Sequence, residues 1–271
     1  MEEIHLITSR DNAKIKHAKG VRDGRDETQI FIEGVRLAEE ALCSPLRCRE
    51  AFVSEAMISG EKIDAIINAL RNSGAIVYKI NAKTADSLSD TKNGQGIVVL
   101  ADRPRQPSLR ELIPIEGVGI PTVIFLEKVN NPANLGAVIR TAEAAGAAGL
   151  IISEGSADPY SPKSLRASMG SAFRLPMMTG TELNEVQAWS KACGLISTAA
   201  DISASNSHTR TDWGMPRLLV LGSEAHGLDA AVIDQMDELT SIEMDNGVES
   251  LNLAVASGII LFEAKRQNLD S

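Results

Sequence analysis

The apolar and polar positions change period repeatedly along the chain. Short apolar runs of strand length fall at 29–32, 50–53, 75–80 and 96–100. Between them apolar residues recur at helical spacing, which predicts a helix through Leu37 and Ala41, one over 61–72 and a short one over 82–89, with a basic helix-like segment ahead of the first strand. Such alternation over about one hundred residues predicts a small α/β domain with its own sheet. The stretch ADRPRQPS, with two prolines and no periodicity, reads as a linker, placing a first domain at 1–105 and a second at 106–271.

The second half continues in the same manner. Strands are predicted over 123–129, 149–152, 194–198 and 218–221, a further strand-like run over 239–244, and a helix over 182–192; residues 201–215 read as a loop. Leu135, Val138, Ile139, Ala142 and Ala145 form a helical stripe behind Asn134, whose side chain suits an N-cap, and Gly146 is placed to stop that helix. Arg140 falls off the stripe, and Gly136, four residues earlier, leaves open space on its face. Small residues over 161–177 suit a closely packed helix with Lys163 and Arg166 outside. Residues 251–265 are apolar on nearly every side, which asks for cover from the chain's own core and from a second subunit. Gly258 within them costs about 1 kcal/mol relative to alanine, a cost that close approach of another backbone would offset.

Composition adds limits. With 44% hydrophobic and 23% charged residues the chain has the make-up of an ordinary globular protein, and no run approaches a membrane span. The opening MEEIH is unlike a signal peptide, so a cytoplasmic location and no membrane partner are expected. Cys43, Cys48 and Cys193 lack zinc-type spacing and read as reduced thiols, with no metal expected. A net charge of −9 argues against general phosphate binding, so any nucleic-acid contact must use local patches. Candidates are Arg10, Lys14, Lys16, Lys19, Arg22 and Arg25, and a second set of Arg103, Arg105, Arg110, Lys163, Arg166 and Arg174; charge alone favours a solvated surface for both.

Chemistry concentrates in three motifs: NPANLGAVIRTAEAAG (131–146), GSEAHGL (222–228) with SIEM (241–244), and ESLNLAVASGIILFEAKRQ (249–267). In this order they resemble the SpoU/TrmH family of RNA ribose 2′-O-methyltransferases, within the SPOUT superfamily. The resemblance implies an α/β catalytic domain with a deep trefoil knot, S-adenosylmethionine as cofactor and a homodimer. The front part, through pieces such as ITSRDNAKIK, FIEG and GQGIVVL, is similar to the family's substrate-binding domain, a small α/β RNA-binding module like those of some ribosomal proteins.

Carried onto this sequence, the resemblance assigns catalytic positions to Asn134, Arg140, Glu224, Ser250 and Asn252, and main-chain cofactor contacts to Gly222, Ile242 and Leu251. Each also has a plain structural role: capping for Asn134, Ser250 and Asn252, a turn for Glu224, a Glu143 ion pair for Arg140, core packing for Ile242 and Leu251. His226 reads as a loop residue. The implied reaction is methyl transfer to a ribose 2′-hydroxyl of structured RNA, ribosomal RNA ahead of transfer RNA. Two rivals remain: a silent RNA-binding protein of the same fold, and a dinucleotide-binding unit built on the 218–221 strand, Gly222 and Glu243, which lacks the G-x-G-x-x-G pattern.

Overall fold

The structure, a computed structural model, describes residues 5–58, 60–91, 94–223 and 227–269. In chain order its elements are β1 (His5–Ile7), α1 (Ala13–Arg22), β2 (Gln29–Glu33), α2 (Val35–Leu42), β3 (Cys48–Ser54), α3 (Glu61–Asn72), β4 (Ile76–Ile80), α4 (Ala82–Leu88) and β5 (Ile97–Asp102). There follow β6 (Ile120–Leu126), α5 (Pro132–Ala145), β7 (Ala147–Ser153), α6 (Pro162–Ser168), β8 (Met177–Thr181), α7 (Leu183–Ala192), β9 (Ile196–Ala200), β10 (Arg217–Leu221), α8 (Ala230–Ile233), β11 (Glu238–Thr240) and α9 (Leu253–Leu269). The chain forms two compact units, one of Met1–Arg105 with Pro159–Arg174, the other of Gln106–Asp158 with Leu175–Ser271.

The first unit is a five-stranded sheet in the order β1-β4-β3-β5-β2, with β5 antiparallel to both neighbours. Side chains alternate across it. Phe31, Phe52, Tyr78 and Leu100 pack with Ile15, Ala18 and Val21 of α1 and Leu88 of α4. The alternate residues Ile30, Ile32, Val53 and Val99 are equally buried and serve the opposite face. The 159–174 segment belongs here because its side chains find their partners here. Arg166 donates to Asp90 at 2.8 Å, Arg174 to Glu40 at 2.8 Å, and Arg103 lies 4.7 Å over the Tyr160 ring. Gly170, at φ +95°, brings its backbone so close to Glu40 that an added Cβ would lie 2.6 Å from the Glu40 Cβ. The closely packed helix expected among the small residues of this stretch is broken at Met169 and Gly170, both left-handed, and Met177 belongs to β8.

The expected basic patches are largely committed within the unit. Lys14 pairs with Glu50, Lys16 with Asp11 at 3.1 Å, and Arg22 and Arg25 with Asp23 at 2.8 and 2.9 Å. Arg22 also donates to the carbonyls of Ser87, Leu88 and Ser89. These ties favour the solvated-surface reading over a free cationic strip.

The second unit is a six-stranded, all-parallel sheet in the order β11-β9-β10-β6-β7-β8. In β6, Val123 and Phe125 join a core with Leu183 and Val186 of α7, while Ile124 and Leu126 are buried on the other face. On that other face α5 and α9 run side by side in the same direction. Their starts are joined by Asn134 and Asn252, their middles meet where Thr141 approaches Gly258, and near their ends Lys265 donates to the Ala144 carbonyl at 2.9 Å. That lysine also favours the negative end of α5.

Three expectations change here. Helix α5 starts earlier, with Asn131 as the cap whose side chain accepts from Ala133 N at 2.9 Å and Pro132 in its first turn; Asn134 is inside the helix. Gly136 is buried instead of opening a space beside Arg140. An added Cβ at Gly258 would meet a side chain, Thr141 Cγ2, at an ordinary 3.6 Å, so no backbone approach demands that glycine within the chain. Gly146 does stop α5, at φ +88°.

Helix α9 runs past the expected 265 because its tail is stitched to the 208–213 loop. Gln267 accepts from Trp213 N at 2.9 Å and donates to Thr211 O, and Asn268 donates to Trp213 O. Glu263 accepts from Arg266 and Gln267, chiefly the Arg266 bond, and its carboxyl is thereby held at about 2, against an ordinary 4.5. A depressed carboxylate pKa adds stability that is complete above the unfolded value and lost as pH falls through the folded one. Acid unfolding monitored by circular dichroism is therefore expected to show stability declining between about pH 4.5 and 2, and Glu263→Gln to flatten that limb.

Candidate active site

Open parallel sheets bind ligands beyond the carboxyl ends of their strands, where the strand order reverses. Here the chain steps outward from β6 to β8 on one side and returns through β9, β10 and β11 on the other. At the carboxyl ends of those last three strands lies a cavity of about 420 Å³, within the roughly 300–1,000 Å³ of small-molecule sites.

Backbone shapes its floor. After Leu221 the chain turns at Gly222, where an added Cβ would run into the Gly227 carbonyl and lie 2.6 Å from Leu228 N. Ser223 N donates to Gly227 O at 3.2 Å and Gly227 N to Ser223 O at 2.9 Å, folding the turn back on itself. On the next strand Asp201 N donates to Thr240 O at 2.9 Å, tying the ends of β9 and β11. Ser241 is held between Asn206 O and His208 N, which fixes the half-buried Ile242 that follows. The strand-like run expected over 239–244 thus ends at Thr240, and Ile242 lies on a loop.

Gly222, Ile242, Ser250 and Leu251 all line the cavity, so these expected positions are brought together. Asn252 stands at its border and has two tasks. Its Oδ1 accepts from Ala254 N at 3.0 Å, capping α9, and its Nδ2 donates to Asn134 Oδ1 at 3.1 Å. Asn252→Ala removes the cap and that contact together; a stability loss of about 1–2 kcal/mol is expected in chemical denaturation. Arg140 is exposed on α5, outside the cavity lining. Glu224 and His226 lie outside the described residues.

The sequence did not single out Ala200, Asp201 and Ile202, which line the cavity from the end of β9. Only the strand order places β9 beside β10. The lining includes the carboxylates Asp201 and Glu249 and, among the described residues, neither lysine nor arginine. Such a cavity accepts a cationic or neutral ligand in preference to a pyrophosphate, and Glu243, the carboxylate of the dinucleotide rival, is not in it. Among the described residues no group of three or more histidine, cysteine or acidic side chains is placed to hold a metal, and no helix is long and apolar enough to cross a membrane.

A parallel sheet with a backbone-walled cavity at its carboxyl ends is the arrangement of α/β nucleotide-binding domains. Comparison with known proteins is more specific. Residues 121–262 match the SpoU rRNA Methylase family and residues 31–107 the RNA 2′-O ribose methyltransferase substrate-binding domain. The chain belongs to the SpoU rRNA methylase family, as its three motifs implied. It is 30% identical to an uncharacterized tRNA/rRNA methyltransferase of Synechocystis sp. over 98% of this chain and 95% of that one. It is 29% identical to the 23S rRNA (guanosine-2′-O-)-methyltransferase RlmB of Vibrio parahaemolyticus over 88% of this chain and 97% of the relative. Among solved structures, the AdoMet-bound rRNA methyltransferase from Sinorhizobium meliloti superposes with a TM-score of 0.83 at 29% identity, covering 97% of this chain and 98% of the other.

Proposed function

We propose that the protein transfers a methyl group from S-adenosylmethionine to a ribose 2′-hydroxyl of ribosomal RNA. The observation that carries the reading is the lining of the 420 Å³ cavity: backbone turns, apolar side chains and two carboxylates, with no basic residue among those described. That donor set suits an adenosine bearing a sulfonium and an ammonium group and no phosphate. When bound, the cofactor supplies an electrophilic methyl group on sulfur. The main chain at Gly222, Ile242 and Leu251 holds the adenosine, Glu224 and Ser250 order the surrounding loops, and Asn134 with Asn252 fixes the start of α9.

The part of Arg140 is electrostatic: its guanidinium grips an RNA phosphate and orients the ribose hydroxyl toward the methyl donor. Within one chain it is not in the cavity lining. A homodimer resolves this. On α9, Val255, Phe262 and Leu269 recur every seven residues and are 51%, 49% and 76% exposed, an apolar stripe suited to a second copy. In this reading the Arg140 of one copy serves the cavity of the other. The same reading includes the deep trefoil knot in the C-terminal domain, RNA binding by residues 1–105 and action in the cytoplasm.

The test is transfer of tritiated methyl groups to RNA from cells lacking the gene, separated into ribosomal and transfer fractions. Label is expected in ribosomal RNA, in alkali-resistant dinucleotides that mark ribose methylation. Label confined to transfer RNA, or to bases, would overturn the substrate assignment, and absence of label from every fraction would favour a silent RNA-binding protein.

A further inference from the structure

The first unit contains a cleft that the methyl-transfer reading leaves unused. On the α1 face of its sheet, the row Phe31, Phe52, Tyr78 and Leu100 is apolar and buried. Two residues further along each strand the pattern changes to Gln29, Glu50, Ile76 and Asp102, joined across the sheet by the Gln29–Asp102 and Glu50–Ile76 registers. Here the core stops and a cleft of about 390 Å³ opens, with His17 of α1 on its other wall.

A bulge helps to build it. Between Cys48 and Glu50, β3 advances two residues while β5 advances one. This allows the consecutive residues Arg49 and Glu50 both to line the cleft, where regular alternation would send them to opposite faces. Arg49 is locked flat by a two-pronged bond to Asp102, Nε to Oδ1 and Nη2 to Oδ2, each 2.7 Å. Glu50 is only 7% exposed, and its Oε1 is taken by Lys14. Its Oε2 is buried with no hydrogen-bond partner; His17 Nδ1 is 3.9 Å away and His17 Nε2 is turned to Asp26. Gln29 Oε1 is likewise buried and unpaired.

Two buried acceptors without donors are costly, about 1–3 kcal/mol each, unless a ligand completes them. A ligand that completes them presents donors, and the rigid guanidinium plane of Arg49 offers a surface on which a flat ring can stack. Among nucleobases, guanine alone carries an imino and an amino N–H side by side on its pairing edge, the match for a carboxylate. We propose that this cleft holds one unpaired guanine of the RNA substrate, with its pairing edge toward Glu50 and Gln29 and its face against Arg49. The inference rests on the RNA-substrate reading but concerns a place where no methyl group is transferred.

The test is binding of the full-length protein to fluorescein-labelled UUGUU, measured by anisotropy beside UUIUU, whose inosine lacks the amino group, and UUAUU. UUGUU is expected to bind about tenfold or more tightly than either, as for a hydrogen bond to a charged group. Glu50→Gln should erase the preference, and Arg49→Gln should weaken all three oligonucleotides, with S-adenosylmethionine affinity unchanged in both variants. Equal affinities for the three oligonucleotides in the unmodified protein would overturn the proposal without any variant. Guanosine monophosphate competing as well as UUGUU would overturn RNA as the source of the base. Because binding is read without turnover, a guanine preference with no methylation of RNA would sink the reaction and leave this site standing; methylation without the preference would do the reverse.

Discussion

Arg140→Ala is expected to lower methyl transfer by about 10²–10³-fold, the usual loss when a positioned electrostatic group is removed from a reacting centre. S-adenosylmethionine affinity should stay within about twofold, because Arg140 is absent from the cavity lining. The fold should be equally indifferent, because the side chain is exposed. Single-turnover transfer alongside cofactor titration checks both halves. Unchanged turnover would remove Arg140 from the mechanism, and a matched loss of cofactor binding would show that it acts on the cavity instead of the RNA.

Gly222→Ala should produce the opposite profile. Its new methyl group would meet the Gly227 carbonyl and Leu228 N, which are backbone atoms and cannot swing aside as a side-chain tip would. The Ser223–Gly227 hydrogen-bond pair must open and Leu228, only 8% exposed, must move, so the cavity wall shifts. Cofactor affinity is expected to fall at least about tenfold, the effect of losing a single well-made contact, while the sheet below persists because Val220 and Leu221 keep their places in it. Calorimetry and a thermal melt separate the two effects; an unaltered Kd would mean that the turn is not part of the cofactor site.

The two variants together test the dimer. If each cavity uses the arginine of the other copy, a heterodimer of the two mutants has one intact site, and random mixing should restore roughly a quarter of normal activity. If each cavity uses its own arginine, every site carries a lesion and the mixture stays inactive.

The periodicity of the chain revealed most of its elements. Residues 61–72 are helical to the residue, and the strands after 28, 47 and 216 fall within a few positions of expectation, because buried strands and amphipathic helices leave their repeat in the sequence. The elements that were missed are marginal ones. β1 is three residues long with Leu6 half exposed, and β8 is an edge strand containing Gly180, so neither shows a burial repeat. Helix α5 begins ahead of Asn134, capped by Asn131, and Pro132 in its first turn is the signal in the sequence that marks this start.

The site was legible in its members and not in their grouping. Gly222, Ile242, Ser250 and Leu251 share a cavity only because β10 lies between β9 and β6, an order that no local pattern contains. The Asn134–Asn252 bond likewise joins residues 118 apart in the chain. The allegiance of 159–174 rests on pairs such as Arg166 with Asp90 and Arg174 with Glu40, where charge alone could not choose the partner.

That borrowed segment sets a timetable for synthesis. Chains generally fold from the N-terminus as they emerge from the ribosome. This one cannot complete its first unit when Arg105 appears, because Tyr160, Arg166 and Arg174 have not yet been made. The leading sheet must wait for the partners that Arg166 and Arg174 bring to Asp90 and Glu40 until much of β6, α5 and β7 has been translated, so nascent chains arrested before residue 159 should be cut by protease where longer ones resist.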